Sequence, residues 1–210
     1  MAADPTDNHF RLTHDARRML RIAVAAARAD WDALSSAARE AREARDDRAK
    51  VEEALLQTTL FCGFPRVVSA FEHALAAWPT AAPVRSAGAV PQAEQAARGR
   101  ALFAAIYGKN DEAVRQKLAS FHPDFHDFVL ESAYGRVLCR SGLDVKMREL
   151  LAVALLSALG QIPQLIAHAR GAMRFSADVA EVRDAMRIGG IDGPAAEDAI
   201  ARAAAGLEKS

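Results

Sequence analysis

Apolar residues recur along this chain at three- and four-residue intervals, and no segment alternates long enough to read as a strand, so the pattern predicts an all-α protein. The first helix follows Thr13, where Met19, Leu20, Ala23, Val24 and Ala27 fall on one face and the threonine hydroxyl can take a first-turn amide. A second starts near Asp30 and runs through Leu34 to Ala44. From Val51 the segment VEEALLQTTLF is apolar on most sides and predicts a buried helix. Gly63 ends it, and Pro65 can open the next, which reaches Trp78. Helical spacing resumes in AEQAARGRALFAAIY, pauses at Gly108 to Asp111, and predicts a long helix over Phe125 to Arg140. Asp144 is placed to cap KMRELLAVALLSAL, whose nearly all-apolar surface marks a core helix ended by Gly160. Pro163 suits the first turn of a helix running to about Phe175. Ser176 is placed to cap another, closed by Gly189 and Gly190, and a last helix covers Pro194 to Leu207.

Residues 79–92, PTAAPVRSAGAVPQ, carry three prolines and predict a linker. The helices on either side of it repeat. Arg17 to Ala41 matches the segment from Met147 at a shared Ala-Val-Ala and at a closing Ala-Arg-x-Ala, with a two-residue length difference between the matches; AKVEEALL then aligns with ADVAEVRD. The chain therefore reads as two diverged copies of one helical module fused about a pseudo-twofold: a degenerate first module over 12–78 and a second, with lead-in helices, over 93–210.

Composition narrows the partners. Twenty-seven basic residues balance 27 acidic ones, which removes any global attraction for nucleic acid or an anionic membrane. No stretch reaches the roughly 18 apolar residues of a membrane span, and the N-terminus lacks the apolar core of a signal peptide, so a cytoplasmic protein is expected. Much of the 51% hydrophobic content is alanine, which favours closely packed helices. Cys62 and Cys139 are the only cysteines; far apart in sequence, they make neither a redox pair nor a zinc set and read as buried reduced thiols. His122 and His126 flank Asp124 at a spacing that could hold a metal, but Pro123 interrupts it and a turn opening a helix is preferred. No metal and no cofactor is expected.

The chemistry concentrates in the second copy. Glu149 interrupts an apolar helix, and a buried carboxylate needs a partner. Across the break at Gly160, Gln164 and His168 stand four apart and share a helical face, with Gln161 just before that helix. An antiparallel pair of helices can bring Glu149 to His168, where the carboxylate orients the imidazole and raises its basicity. The first-copy counterpart of Glu149 falls at Met19 or Leu20.

The string LDVKMRELLAVALLSALGQIPQLIAHARGAMRFSADVAEV resembles the core of carboxymuconolactone decarboxylase-like proteins. VEEALLQTTLFCGFPRVVSAF is similar to the segment that family places after its core, and ESAYGRVLCRSGL to its lead-in. The resemblance implies an all-helical, alkylhydroperoxidase D-like fold and a homo-oligomer, a trimer for a tandem-copy member. In the alkylhydroperoxidase D branch a glutamate, a CxxC pair and a histidine form the site; by spacing these fall on Glu149, Gln161, Gln164 and His168. Glutamine forms no thiolate, so thiol peroxidase chemistry is disfavoured. The decarboxylase branch works by acid–base chemistry on a carboxylated lactone, which implies catalytic roles for His168 and Glu149. The small-molecule partner, a lactone or related organic acid, would meet Gln161, Gln164, the Tyr134 hydroxyl and a cation such as Arg66 or Arg136, with Arg140, Arg148 and Arg170 also available. A non-catalytic oligomeric binding or scaffold protein of the same fold is the alternative.

Overall fold

The computed structural model describes residues 10–79 and 88–208, and among these every regular element is helical. Side-chain caps set most of the starts. Thr13 accepts the Ala16 amide to open α1 (His14–Arg28), Asp30 accepts that of Ala33 to open α2 (Trp31–Glu43), and Asp47 accepts that of Ala49 to open α3 (Arg48–Leu75). α3 is long and apolar enough to cross a membrane by length and composition, and a third of its apolar window is buried within the protein; Val51, Ala54 and Leu55 of this helix are buried. Gly63 breaks its winding at φ 77°, a left-handed value that glycine takes without a Cβ penalty, so the helices expected on either side of Gly63 abut with no loop between them. Of the linker expected over 79–92, residues 80–87 lie outside the described residues, and Gln92 already begins α4 (Gln92–Tyr107).

A short 3₁₀ turn, Gly108–Asn110, leads into α5 (Asp111–Phe121), and α6 (Pro123–Phe128) follows it. The long helix expected over Phe125 to Arg140 changes winding: from Val129 to Leu138 it is a π-helix of ten residues. This π segment packs along α4 with backbones in contact. A β-carbon on Gly99 would lie 2.0 Å from the Leu130 carbonyl, and one on Gly135 would lie 2.0 Å from that of Gln95.

The second copy comprises α7 (Val145–Ala158), α8 (Ile162–Arg174), α9 (Val179–Ile188) and α10 (Gly193–Glu208). Asp144 caps α7 as expected. Ser176 does not cap α9: it turns the chain at φ 69°, and Asp178 makes the cap in a reciprocal box with Glu181.

These caps fix the register between copies. Thr13, Asp30 and Asp47 correspond to Asp144, Gln161 and Asp178 at one constant spacing, with no length difference between them. The Ala-Val-Ala match is therefore two residues out of register, a false coincidence in alanine-rich helices. In the capped register Glu149 corresponds to Arg18, not to Met19 or Leu20, and His168 to Ala37.

The copies pack reciprocally. α1 lies on α7, α3 of the first copy packs on α7, and α9 of the second packs on α1, the exchange that a twofold relation imposes. Two buried acids at corresponding positions sharpen it. Glu53 on α3 binds Arg140 and Arg148 at the start of α7, with Nη2 of Arg148 2.9 Å from the carboxylate, while Asp184 on α9 accepts the amides of Arg11 and Leu12 ahead of α1. One core cluster runs through α1, α7, α8, α9 and α10, so the modules share their interior.

Candidate active site

Every residue of α7 from Arg148 to Ser157 is buried, and Glu149 is only 1% exposed. A carboxylate so placed is costly unless paired. Its partner comes from α8: Oε2 of Glu149 lies 3.0 Å from Nδ1 of His168, and Phe61 of α3 packs its ring edge-on against the imidazole. Burial works against the charged imidazole, but the charge of Glu149 and the hydrogen bond to it prevail, and the His168 pKa stands above its ordinary value of 6.5. Among the described residues no group bonds Nε2, the other ring nitrogen.

Gly171, one turn beyond His168, makes room for the carboxylate. A β-carbon there would sit 2.2 Å from Oε2 of Glu149 and 3.2 Å from Cγ2 of Ile106 on α4. The α4 and π-segment hairpin thus covers Glu149. It delivers two tyrosines: Tyr134, buried in the π segment, donates its hydroxyl to that of Tyr107 at 3.2 Å, and both pack on Phe103. Burial raises both phenol pKa values, and the charge of Glu149 adds to the rise.

The residues singled out from sequence disperse otherwise. Gln161 occupies the N-cap position of α8 without capping it by its side chain, and Gln164 is exposed one turn before His168. The Tyr134 proton is spent on Tyr107. Arg66 donates to the Ala27 carbonyl at the end of α1, and Arg170 to those of Arg202 and Ala203 on α10. Arg140 and Arg148 are held by Glu53, with Gln57 bonded both to the Arg148 guanidinium and to its carbonyl. Arg136 is exposed on a separate cleft of roughly 690 Å3 lined by Val90, Pro91, Gln92, Gln95 and Arg140.

His122 caps α6 through its ring, and His126 bonds Asp127. Cys62 and Cys139 are half-buried rather than buried; Cys62 donates to the Thr58 carbonyl, and burial pushes both thiols up.

Tyr107 and Gly171 escaped the sequence reading. For Gly171 a signal existed: glycine inside a helix costs about 1 kcal/mol relative to alanine, which marks a close approach. The first copy shows the site dismantled. Arg18 stands where Glu149 would and makes two 2.7 Å bonds to Asp46, and the His168 position is Ala37.

Peroxisomal protein 2 of Schizosaccharomyces pombe is 29% identical over 161 residues, covering 75% of this chain and 76% of that protein. The family model described as the carboxymuconolactone decarboxylase family matches residues 9–76 and 123–205, one stretch in each helical copy. With most of the chain matched in two parts, and the helical repeat to account for both, the chain belongs to the carboxymuconolactone decarboxylase family.

Proposed function

We propose that this protein is a small-molecule lyase that uses the Glu149–His168 pair for acid–base chemistry on a carboxylated lactone or related organic acid. The 3.0 Å contact between the buried Glu149 carboxylate and Nδ1 of the partly exposed His168 carries the reading. Glu149 holds the proton on Nδ1 and stabilises the imidazolium, which leaves Nε2 to exchange a proton with the substrate. In a decarboxylation the bond to the carboxylate carbon breaks, carbon dioxide leaves, and the electron pair enters the conjugated carbonyl system. Nε2–H then protonates carbon. None of the five arginines considered bonds to this pair, so the positive charge of the reading is the imidazolium itself.

Thermal melts against a panel of carboxylated lactones and aromatic-catabolic acids, followed by turnover of any that stabilise the fold, test it. Stabilisation and turnover in the wild type, both lost in His168→Ala, are expected. Identical behaviour of the two proteins sinks the proposal and leaves the binding or scaffold reading. That alternative is favoured by the first copy, which keeps the fold with Arg18 and Ala37 at the site positions. Peroxidase chemistry has glutamines where thiols are needed.

A homo-oligomer, a trimer by family habit, belongs to the same proposal. Its support is the arm of α5 and α6, which buries none of its own residues and leaves Phe121, Phe125 and Phe128 at 63%, 47% and 62% exposure. Two free cysteines support a reducing compartment, the cytoplasm of the sequence reading. With acidic and basic residues in balance, neither nucleic acid nor a membrane is part of the proposal.

A further inference from the structure

Tyr107 lies between the two stretches that match the family model, residues 9–76 and 123–205. It ends α4, and its neighbour Ile106 and the Glu149 carboxylate both border the space that a β-carbon on Gly171 would take. Tyr134 donates to the Tyr107 oxygen. A neutral phenol has one proton, and Tyr107, having accepted one hydrogen bond, still has its own to give. Glu149 has a matching deficit: Oε2 takes the imidazole, and among the described residues no further hydrogen bond reaches the carboxylate. Ile106, the residue before Tyr107, borders the Glu149 carboxylate, and the charge of Glu149 is felt at both phenols.

On the acid–base reading of the site, we propose that Tyr107 is a positioning residue for the Glu149–His168 pair, its hydroxyl donating to the second carboxylate oxygen of Glu149 through one bridging water. Tyr134, Tyr107, Glu149 and His168 then form one polarised chain from the π segment to the reacting nitrogen. Burial supports it by holding both phenols protonated. The titratable groups that feel the pair are Tyr107 from α4 and Tyr134 from the π segment; α3 presents the apolar Phe61, and the Arg174 guanidinium of α8 packs over Gly108 at the end of α4.

A donor on the carboxylate draws off part of the negative charge that His168 feels, so its loss strengthens the pull on the imidazolium. Ring-proton NMR titration of His168 in the whole chain reads this directly. Tyr107→Phe keeps the ring and its stack on Phe103, and is expected to raise the His168 pKa by about half a unit. Tyr134→Phe, which only weakens Tyr107 as a donor, moves it the same way by less. An unchanged or lowered His168 pKa in a natively folded Tyr107→Phe overturns the proposal. Should that variant fail to fold, an unmoved or lowered value in Tyr134→Phe overturns it from the other end. The titration needs no turnover, so inactivity against every substrate would overturn the lyase reading alone, and the His168 pKa would still decide the Tyr107 contact.

Discussion

Replacing Gly171 by alanine sets two physical effects against each other. Alanine favours a helix over glycine by about 1 kcal/mol, so if Gly171 were only a residue of α8, Gly171→Ala would stabilise the protein. The structure predicts the reverse. The added methyl would sit 2.2 Å from Oε2 and 3.0 Å from Cδ of Glu149, about 1 Å inside ordinary contact by the usual carbon spacing. Cγ2 of Ile106, at 3.2 Å, closes the space beside it. The carboxylate must move, and with 1% exposure it has nowhere to go that preserves the 3.0 Å bond to Nδ1. Losing a hydrogen bond between charged groups costs about 1.5–3 kcal/mol, so with the helix gain set against it the net effect is a destabilisation of about 0.5–2 kcal/mol. Urea unfolding should report it, with NMR titration showing the His168 pKa falling.

The sign with pH follows from the raised pKa of His168. A folded pKa above the unfolded one contributes stability that is fully present below the ordinary value of 6.5 and is lost as pH rises through the folded value. The gap between wild type and Gly171→Ala should therefore be widest near pH 6 and narrow on going alkaline. A Gly171→Ala protein as stable as wild type, with His168 titrating unchanged, would refute the reasoning.

Two other perturbations probe different levels. Glu53→Ala leaves Arg148, 1% exposed, without its buried carboxylate and should cost about 3–5 kcal/mol in urea unfolding, whereas Glu40→Ala, which breaks the exposed pair with Arg21, should cost under about 1 kcal/mol. On the proposed homo-oligomer, Phe125→Ser with Phe128→Ser should shift sedimentation velocity toward monomer relative to wild type; an unchanged sedimentation coefficient would remove these phenylalanines as support for self-association.

Much of the helical order was legible because caps and apolar spacing act within a few residues. Thr13 and Asp144 cap where their spacing predicted, and the helix expected to start near Asp30 is capped by it. The error at Ser176 was also local: Asp178 with Glu181 is a capping box written in the sequence, and the nearer serine masked it. Even the pairing of Glu149 with His168 could be foreseen, since a carboxylate in an apolar helix demands a partner and the face of α8 offered one. The two-residue register error arose because alanine repeats match at many offsets, whereas the N-cap positions, all but that of Gln161 closed by a side chain to its own backbone, match at one.

The sequence by itself determined where the helices begin, that they repeat, and that the second copy kept an acid and a histidine. Tertiary structure alone decided which residues surround them. Glu53 and Arg148 are far apart in sequence, as are Tyr107 and Tyr134, and no periodicity within one helix encodes which turn of another it meets. Helix packing settled those meetings, and with them the arginines: side chains that looked available for a substrate were taken up by Glu53 and by the carbonyls at the ends of α1 and α10. A glycine in α8 became the space for a carboxylate because α4 and α7 converge on it. Local hydrogen bonds belong to the chain, but a site belongs to the surfaces that packing brings together.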